Sequence, residues 1–222
     1  MRLFVFTLIL LSSLSAHAQF GVQVSTNFNQ AQNIFPAGSI AVEEDVDFSV
    51  GTEVALNYWF RLPKQRIEFL PTIYYARSGF ENSDAHLAEY GAQMKVNVYP
   101  FDFLGDCDCP TFGKQGPQLQ KGLFLQVSGG YALYDLNSGL GFDLANQENS
   151  QGATFGGAIG IDFGLSNLVT LTPVAGVRFG TSPYTDSGFA NVSGIITDVE
   201  RSNLTTFHAG LLVSFRFDHK RY

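Results

Sequence analysis

Apolar side chains in this chain recur at every second residue in eight separate runs, and nowhere after residue 18 do they merge into one long stretch. A period of two is the signature of a β-strand with two unlike faces. The clearest run starts at Phe48. Phe48, Val50, Val54, Leu56, Tyr58, Phe60 and Leu62 fall on one face; Gly51, Glu53, Ala55, Asn57, Trp59 and Arg61 fall on the other. After Pro63-Lys64-Gln65, the residues Ile67, Phe69, Pro71, Ile73 and Tyr75 alternate with Arg66, Glu68, Leu70, Thr72, Tyr74 and Ala76. Pro71 lacks a ladder donor and suggests a bulge. The other runs begin at Phe20, Tyr90, Leu123, Phe155, Leu171 and Phe207.

The charges decide which way the sheet faces. Glu53, Arg61, Arg66, Glu68, Lys95, Asp162, Arg178 and Arg216 all share a face with small or polar residues, opposite the apolar face. Hydrophobic residues make up 45% of the chain and charged residues only 15%, against ~25% charged in an ordinary soluble domain. A helix needs ~20 consecutive apolar residues to cross a bilayer, so such a chain reaches lipid only through strands. The expected fold is all-β: an eight-stranded antiparallel up-and-down transmembrane β-barrel, with its apolar face outward. A soluble β-sandwich or lipocalin-like barrel would bury its aromatics and expose its charges. Tyr58, Phe60, Tyr75, Tyr99, Phe163, Phe179, Phe215 and Phe217, all near strand ends, suit interfacial girdles.

Connection lengths alternate as well. Pro63–Gln65 and Ser166–Leu168 read as tight turns; Asn29–Asp47, Glu81–Glu89, Asn137–Ser150 and Thr181–Ser202 read as long outer loops. Short periplasmic turns and long outer loops mark such barrels. Asp102–Lys121 departs from the rule, being long where a short turn belongs.

Residues 1–18 read as a signal peptide. Arg2 is a basic start, Leu3–Leu14 an apolar run too short to span, and Ala16-His17-Ala18 a cleavage site, leaving Gln19–Tyr222 as the barrel domain. The alternative is an N-terminal anchor; a lipidated N-terminus is disfavoured because no Cys follows the cut. The expected location is the outer membrane, with both termini periplasmic and with membrane lipid and lipopolysaccharide as surroundings. The formal charge of −7, without a basic stripe, speaks against nucleic acid as a partner.

An eight-strand barrel is just wide enough for side chains to fill it, and charges buried there need partners. The eight inward charges therefore read as a lumen ion-pair and hydrogen-bond network rather than a conduction path or ligand site. Cys107 and Cys109, in Asp106-Cys107-Asp108-Cys109-Pro110, read as a local disulfide stiffening the long connection, against a redox-active bridge or half of a metal site. His86 beside Asp84 could form a catalytic pair at the rim, but Asp-x-His is common and no nucleophile motif accompanies it. His208 is expected to hydrogen-bond within the lumen. Gly156-Gly157-Ala158-Ile159-Gly160 lies within a strand and lacks the Lys-Ser/Thr of a phosphate loop; its glycines instead admit bulky neighbours. No catalytic residue and no cofactor is expected.

Gln19-Phe20-Gly21-Val22-Gln23-Val24, Val96-Asn97-Val98-Tyr99-Pro100 and Gly210-Leu211-Leu212-Val213-Ser214-Phe215-Arg216-Phe217 together resemble the PorT-like, or outer membrane protein β-barrel domain, family, related in architecture to the OmpA-like small barrels. The resemblance covers essentially the whole chain after Ala18. It implies a non-enzymatic envelope role, structural, scaffold or secretion-accessory, with a periplasmic or secretion-machinery partner; it supplies no catalytic residues. A narrow pore or small-ligand barrel is the alternative, and a rim-sited enzyme a third. Glu43, Glu44, Asp45, Asp47, Glu81, Asp84, Glu89, Asp143, Glu148, Asp186, Asp198 and Glu200 would make the outer rim acidic. Such a rim could hold a divalent cation weakly against lipopolysaccharide; the plainer reading is a solvated acidic surface.

Overall fold

The computed structural model describes residues 19–31, 48–61, 67–81, 86–101, 122–137, 150–166, 168–181 and 203–215. Among them are ten strand segments: β1 (Phe20–Ala31), β2 (Gly51–Tyr58), β3 (Phe60–Arg61), β4 (Ile67–Gly79), β5 (His86–Val98), β6 (Leu123–Asn137), β7 (Ser150–Ile161), β8 (Phe163–Gly164), β9 (Val169–Gly180) and β10 (Leu204–Phe215). β2 and β3 are one stave of the wall interrupted at Trp59, and β7 and β8 are one stave interrupted at Asp162. The wall therefore has eight staves, each antiparallel to its neighbours. β10 pairs with β1 from Phe20↔Phe215 to Ala31↔Leu204, so the sheet closes on itself. Closure is what makes the fold viable in lipid, because it leaves no edge of unpaired peptide groups.

The barrel is inside out relative to a soluble one. Leu56, Ile73, Val127 and Phe155 face outward, 53%, 60%, 61% and 57% exposed, whereas Glu53, Glu68, Lys95 and Arg178 face the lumen and are no more than 4% exposed. Strand alternation alone produces this division, since consecutive side chains point to opposite faces.

Two prolines explain both interruptions. The register on either side of Trp59 is the same, with Asn57↔Thr72 before it and Phe60↔Phe69 after it. No residue has been inserted, so Pro71 does not mark the bulge that the sequence suggested. The Trp59 amide instead donates to Gln19 O at 2.9 Å, toward β1. Peptide groups alternate sides along a strand, so Tyr58 is directed at β4, where the register sets it against Pro71, which has no N–H to give. The other interruption repeats this arrangement. Asp162 N donates to Gly122 O at 3.0 Å, which directs Ile161 toward β9, where the same register puts Pro173 opposite it.

The bulge lies elsewhere. Phe48 bridges to Phe80 and Ser49 N donates to Gly79 O, whereas Thr52 pairs with Arg77. Four steps on the first strand match three on the second, so one extra residue is inserted before β2. Such an insertion turns the residues beyond it to the other face. Phe48, expected on the lipid side, packs instead against the buried cluster of Ala31, Phe80, Leu87, Tyr134 and Leu204, its ring 4.6 Å from that of Phe80. The hairpin between β8 and β9 is the tight turn expected there: Ser166 Oγ accepts from the amides of Leu168 (3.2 Å) and Val169 (3.0 Å).

If the missing donors part these staves, restoring them should tighten the wall. Pro71→Val and Pro173→Val should each raise stability by about 0.5–1.5 kcal/mol, the net worth of one hydrogen bond. Guanidinium unfolding in lipid vesicles measures this, and unchanged or lowered stability in both variants would contradict the account.

Candidate functional site: the lumen

The inward faces of the staves fill the barrel in layers. At the loop end, the Phe80–Leu87–Tyr134–Leu204 cluster forms an apolar cap. Just below it lies a clasp built on Arg178 of β9. Arg178 donates Nη1 to Glu53 Oε2 at 2.8 Å and Nη2 to Glu89 Oε2 at 3.0 Å. Its guanidinium also stacks over the Tyr74 ring, 4.3 Å from the centroid, a cation–π contact strengthened by desolvation. The Tyr74 hydroxyl donates to Glu89 Oε1 at 2.7 Å, and Asn27 Nδ2 donates to Glu53 Oε2 at 3.3 Å. Arginine suits this position because its planar fork serves two carboxylates at once.

Gly91 makes the clasp fit. It stands directly opposite Tyr74 on β5, and a Cβ there would run into the Tyr74 ring. Without one, the Tyr74 ring fits over Gly91 and receives the Arg178 guanidinium on its face. Gly160 does the same for Phe124 on the neighbouring stave.

Toward the turn end, Lys95 Nζ donates to Gln23 Oε1 at 2.9 Å, and Gln23 Nε2 donates to Ser25 Oγ at 3.0 Å. Thr72 Oγ1 donates to Asn57 Oδ1 and Gln126 Nε2 donates to Asn97 Oδ1. The last layer gathers around Tyr99, whose hydroxyl lies 2.8 Å from Glu68 Oε2 and 2.7 Å from Asp162 Oδ2. Trp59 Nε1 donates to Glu68 Oε2 at 2.6 Å, and Thr172 Oγ1 to Asp162 Oδ1 at 2.6 Å. Trp59 and Asp162, the two residues at the wall's interruptions, thus meet the same tyrosine–carboxylate cluster.

Of the eight inward charges named from the sequence, the structure brings Glu53 together with Arg178, and Glu68 with Asp162 through Tyr99. Lys95 is held by an amide. Arg61 stands opposite Glu68 in the register, with its side chain outside the described part. Arg66, Arg216, Cys107 and Cys109 lie outside the described residues, as does Asp84, the partner imagined for His86.

Three expectations need correction. Glu89 belongs to the clasp and not to an outer loop, because β5 begins at His86 and the parity that puts Lys95 inside puts Glu89 there too. Tyr99 is 1% exposed and inside the barrel, not in a girdle. His208 sits on the inner wall of β10, yet its Nδ1 has no hydrogen-bond partner among the described residues. Tyr74, Gln23, Asn27 and Trp59 complete the network; they carry no charge, so the charge pattern of the sequence does not single them out. Of the acidic rim, Glu81 is exposed at the end of β4's turn, and apart from Glu81 and Glu89 the rim acids lie outside the described residues. Among the described residues no group of three His, Cys, Asp or Glu side chains could hold a metal ion.

Comparison with models of known protein families and with curated proteins gives no match. Solved structures with a similar fold include small outer-membrane barrels. The Neisserial surface protein NspA is 15% identical, with a TM-score of 0.46 over 87% of this chain and 96% of its own. Ail of Yersinia pestis, in complex with the heparin analogue sucrose octasulfate, is 10% identical with a TM-score of 0.41, over 89% and 99%. OprG of Pseudomonas aeruginosa is 10% identical with a TM-score of 0.41, over 91% and 97%.

Removing Arg178 strands two buried carboxylates. Arg178→Met should cost about 3–5 kcal/mol in unfolding experiments, as breaking a buried ion pair does. Adding Glu53→Gln and Glu89→Gln to it should recover most of that loss. A single variant as stable as the parent would show that the clasp contributes nothing.

Proposed function

We propose that this chain is an exported outer-membrane β-barrel that serves the envelope as a non-enzymatic, non-conducting structural or scaffold protein. In this reading residues 1–18 direct export and are cut after Ala18, both termini face the periplasm, and the barrel stands among lipopolysaccharide. Its outer loops and the 102–121 connection are the parts that meet other molecules, including a periplasmic or secretion-machinery partner.

The observation that supports this is the filled lumen. From the apolar cap through the Arg178 clasp to the Tyr99 cluster, successive layers of inward side chains are buried and held by neighbours on other staves. A solute would have to break buried charge-assisted bonds to pass, and such bonds are costly to open. A wall of eight staves gives those side chains no room to swing aside. Retaining a lumen of this kind serves the barrel's own stability, and leaves the loops and connections as the exposed working surface.

Planar-bilayer recordings test it. The purified protein should give no steady single-channel current. Large, long-lived openings in the unmodified protein would overturn the scaffold reading in favour of a narrow pore.

A further inference from the structure

The outer surface carries a depression of ≈ 560 Å³ that crosses four staves, lined by Leu56, Tyr58, Pro71, Ile73, Met94 and Gly129 among others. The register explains it. Pro71, Met94 and Gly129 lie in one row across β4, β5 and β6, and Ala92 lies one outward position along β5. Pro71, Ala92 and Gly129 are short, while Leu56, Tyr58 and Ile73 stand up beside them. Gly129 is not needed for packing: a Cβ there would meet only Phe155, at 4.0 Å. By contrast, Gly91 and Gly160 admit rings inside the barrel.

Above the depression, toward the loop end, β4 and β5 present Tyr75 and Tyr90, a cross-strand pair with ring centroids 5.0 Å apart. The next outward residue on β4 is Arg77, which is exposed. Among the described side chains the cations are Arg77, Lys95 and Arg178, and Arg77 alone lies outside the barrel. Pro71 and Arg77 are six residues apart, about 20 Å along a strand and about 15 Å along the bilayer normal at the usual tilt. That is about the depth of one leaflet. Apolar depression, tyrosine pair and cation therefore follow one line at the depths of an acyl chain, an interface and a phosphate.

We infer that this line is a binding site for one phosphorylated glycolipid of the lipid A type, with an acyl chain in the depression and a phosphate on Arg77. The choice of glycolipid over phospholipid rests on the proposed orientation, which puts the loop end in the outer leaflet. A second copy of the chain is a poorer occupant, because a twofold axis through the depression would bring Arg77 to the same rim as its own counterpart.

The test is native mass spectrometry of the full barrel, folded in detergent with equimolar diphosphoryl lipid A and phosphatidylglycerol. One lipid A should remain bound. Gly129→Leu, which fills the depression, and Arg77→Gln should each reduce retention about tenfold, and Arg77→Lys should keep most of it. Gly157→Leu is the control: it faces outward, has similar open space, with only Gln126 O at 3.7 Å, and does not line the depression. Its retention should match that of the parent. Cold and boiled gel migration confirms that every variant is folded. Equal retention by all variants would overturn the site. Retention of phosphatidylglycerol in place of lipid A, lost in the same two variants, would overturn the glycolipid assignment while leaving the filled-lumen reading intact. A dimer without lipid would overturn it in favour of a second copy.

Discussion

Lipid offers no hydrogen bond to a peptide group, and this constraint governs everything else in the barrel. Each stave must find its donors and acceptors on its two neighbours, so the first and last strands have to meet. They do so over their full length, from Phe20↔Phe215 to Ala31↔Leu204. Apart from the bulge before β2, the wall is locally parted at two places among the described residues, and each is opposite a proline that cannot donate. Both interruptions lie toward the turn end, and at each the next residue, Trp59 or Asp162, is turned inward and anchored to the Tyr99 cluster. A loss in the ladder thus sits beside a gain in the lumen.

Closing eight staves also fixes the bore, and the bore dictates the chemistry inside. The inner faces cannot hold bulk water at depth, so the charged groups there bond to neighbouring side chains, while a few neutral atoms such as Asn27 Oδ1, Thr170 Oγ1 and His208 Nδ1 find no partner among the described residues. Arg178 serves Glu53, Glu89 and the face of Tyr74 together, which is more than a lysine's point charge could do. Room for that arrangement comes from glycine: the Tyr74 ring fits over Gly91. Apolar exterior, glycine-relieved wall and charged lumen are consequences of one closed sheet with a period of two.

Much of this was legible in the sequence. The alternation from Thr52 to Asn57 gives the correct faces for β2, and the same parity separates Lys95 and Arg178 from their lipid-facing neighbours. What escaped was local and had physical causes. Phe48 changes face because an extra residue is inserted before β2, and insertions leave no mark in a hydrophobic pattern. Pro71 is visible in the sequence, but whether a missing donor makes a bulge or an open rung depends on which neighbour its peptide faces. Glu89 was assigned to a loop because strands reach further toward the loop end than their apolar runs do; past the lipid boundary, outward residues need not be apolar. The pairing of Glu53 with Arg178 joins residues far apart in the chain, and only the closed topology could reveal it.

The central claim is that a filled polar lumen stands inside an apolar wall, and a nitroxide scan along β2 tests it most directly. Single cysteines at 52 to 57, in a background with Cys107 and Cys109 replaced by serine, would be spin-labelled in lipid vesicles. Labels at 52, 54 and 56 should collide readily with oxygen dissolved in the bilayer and hardly at all with a water-soluble nickel chelate. Labels at 53, 55 and 57 should be immobilised and shielded from both. High chelate accessibility at the inward positions would mean a water-filled channel, and loss of the period of two would mean that the stave does not stand in lipid as described.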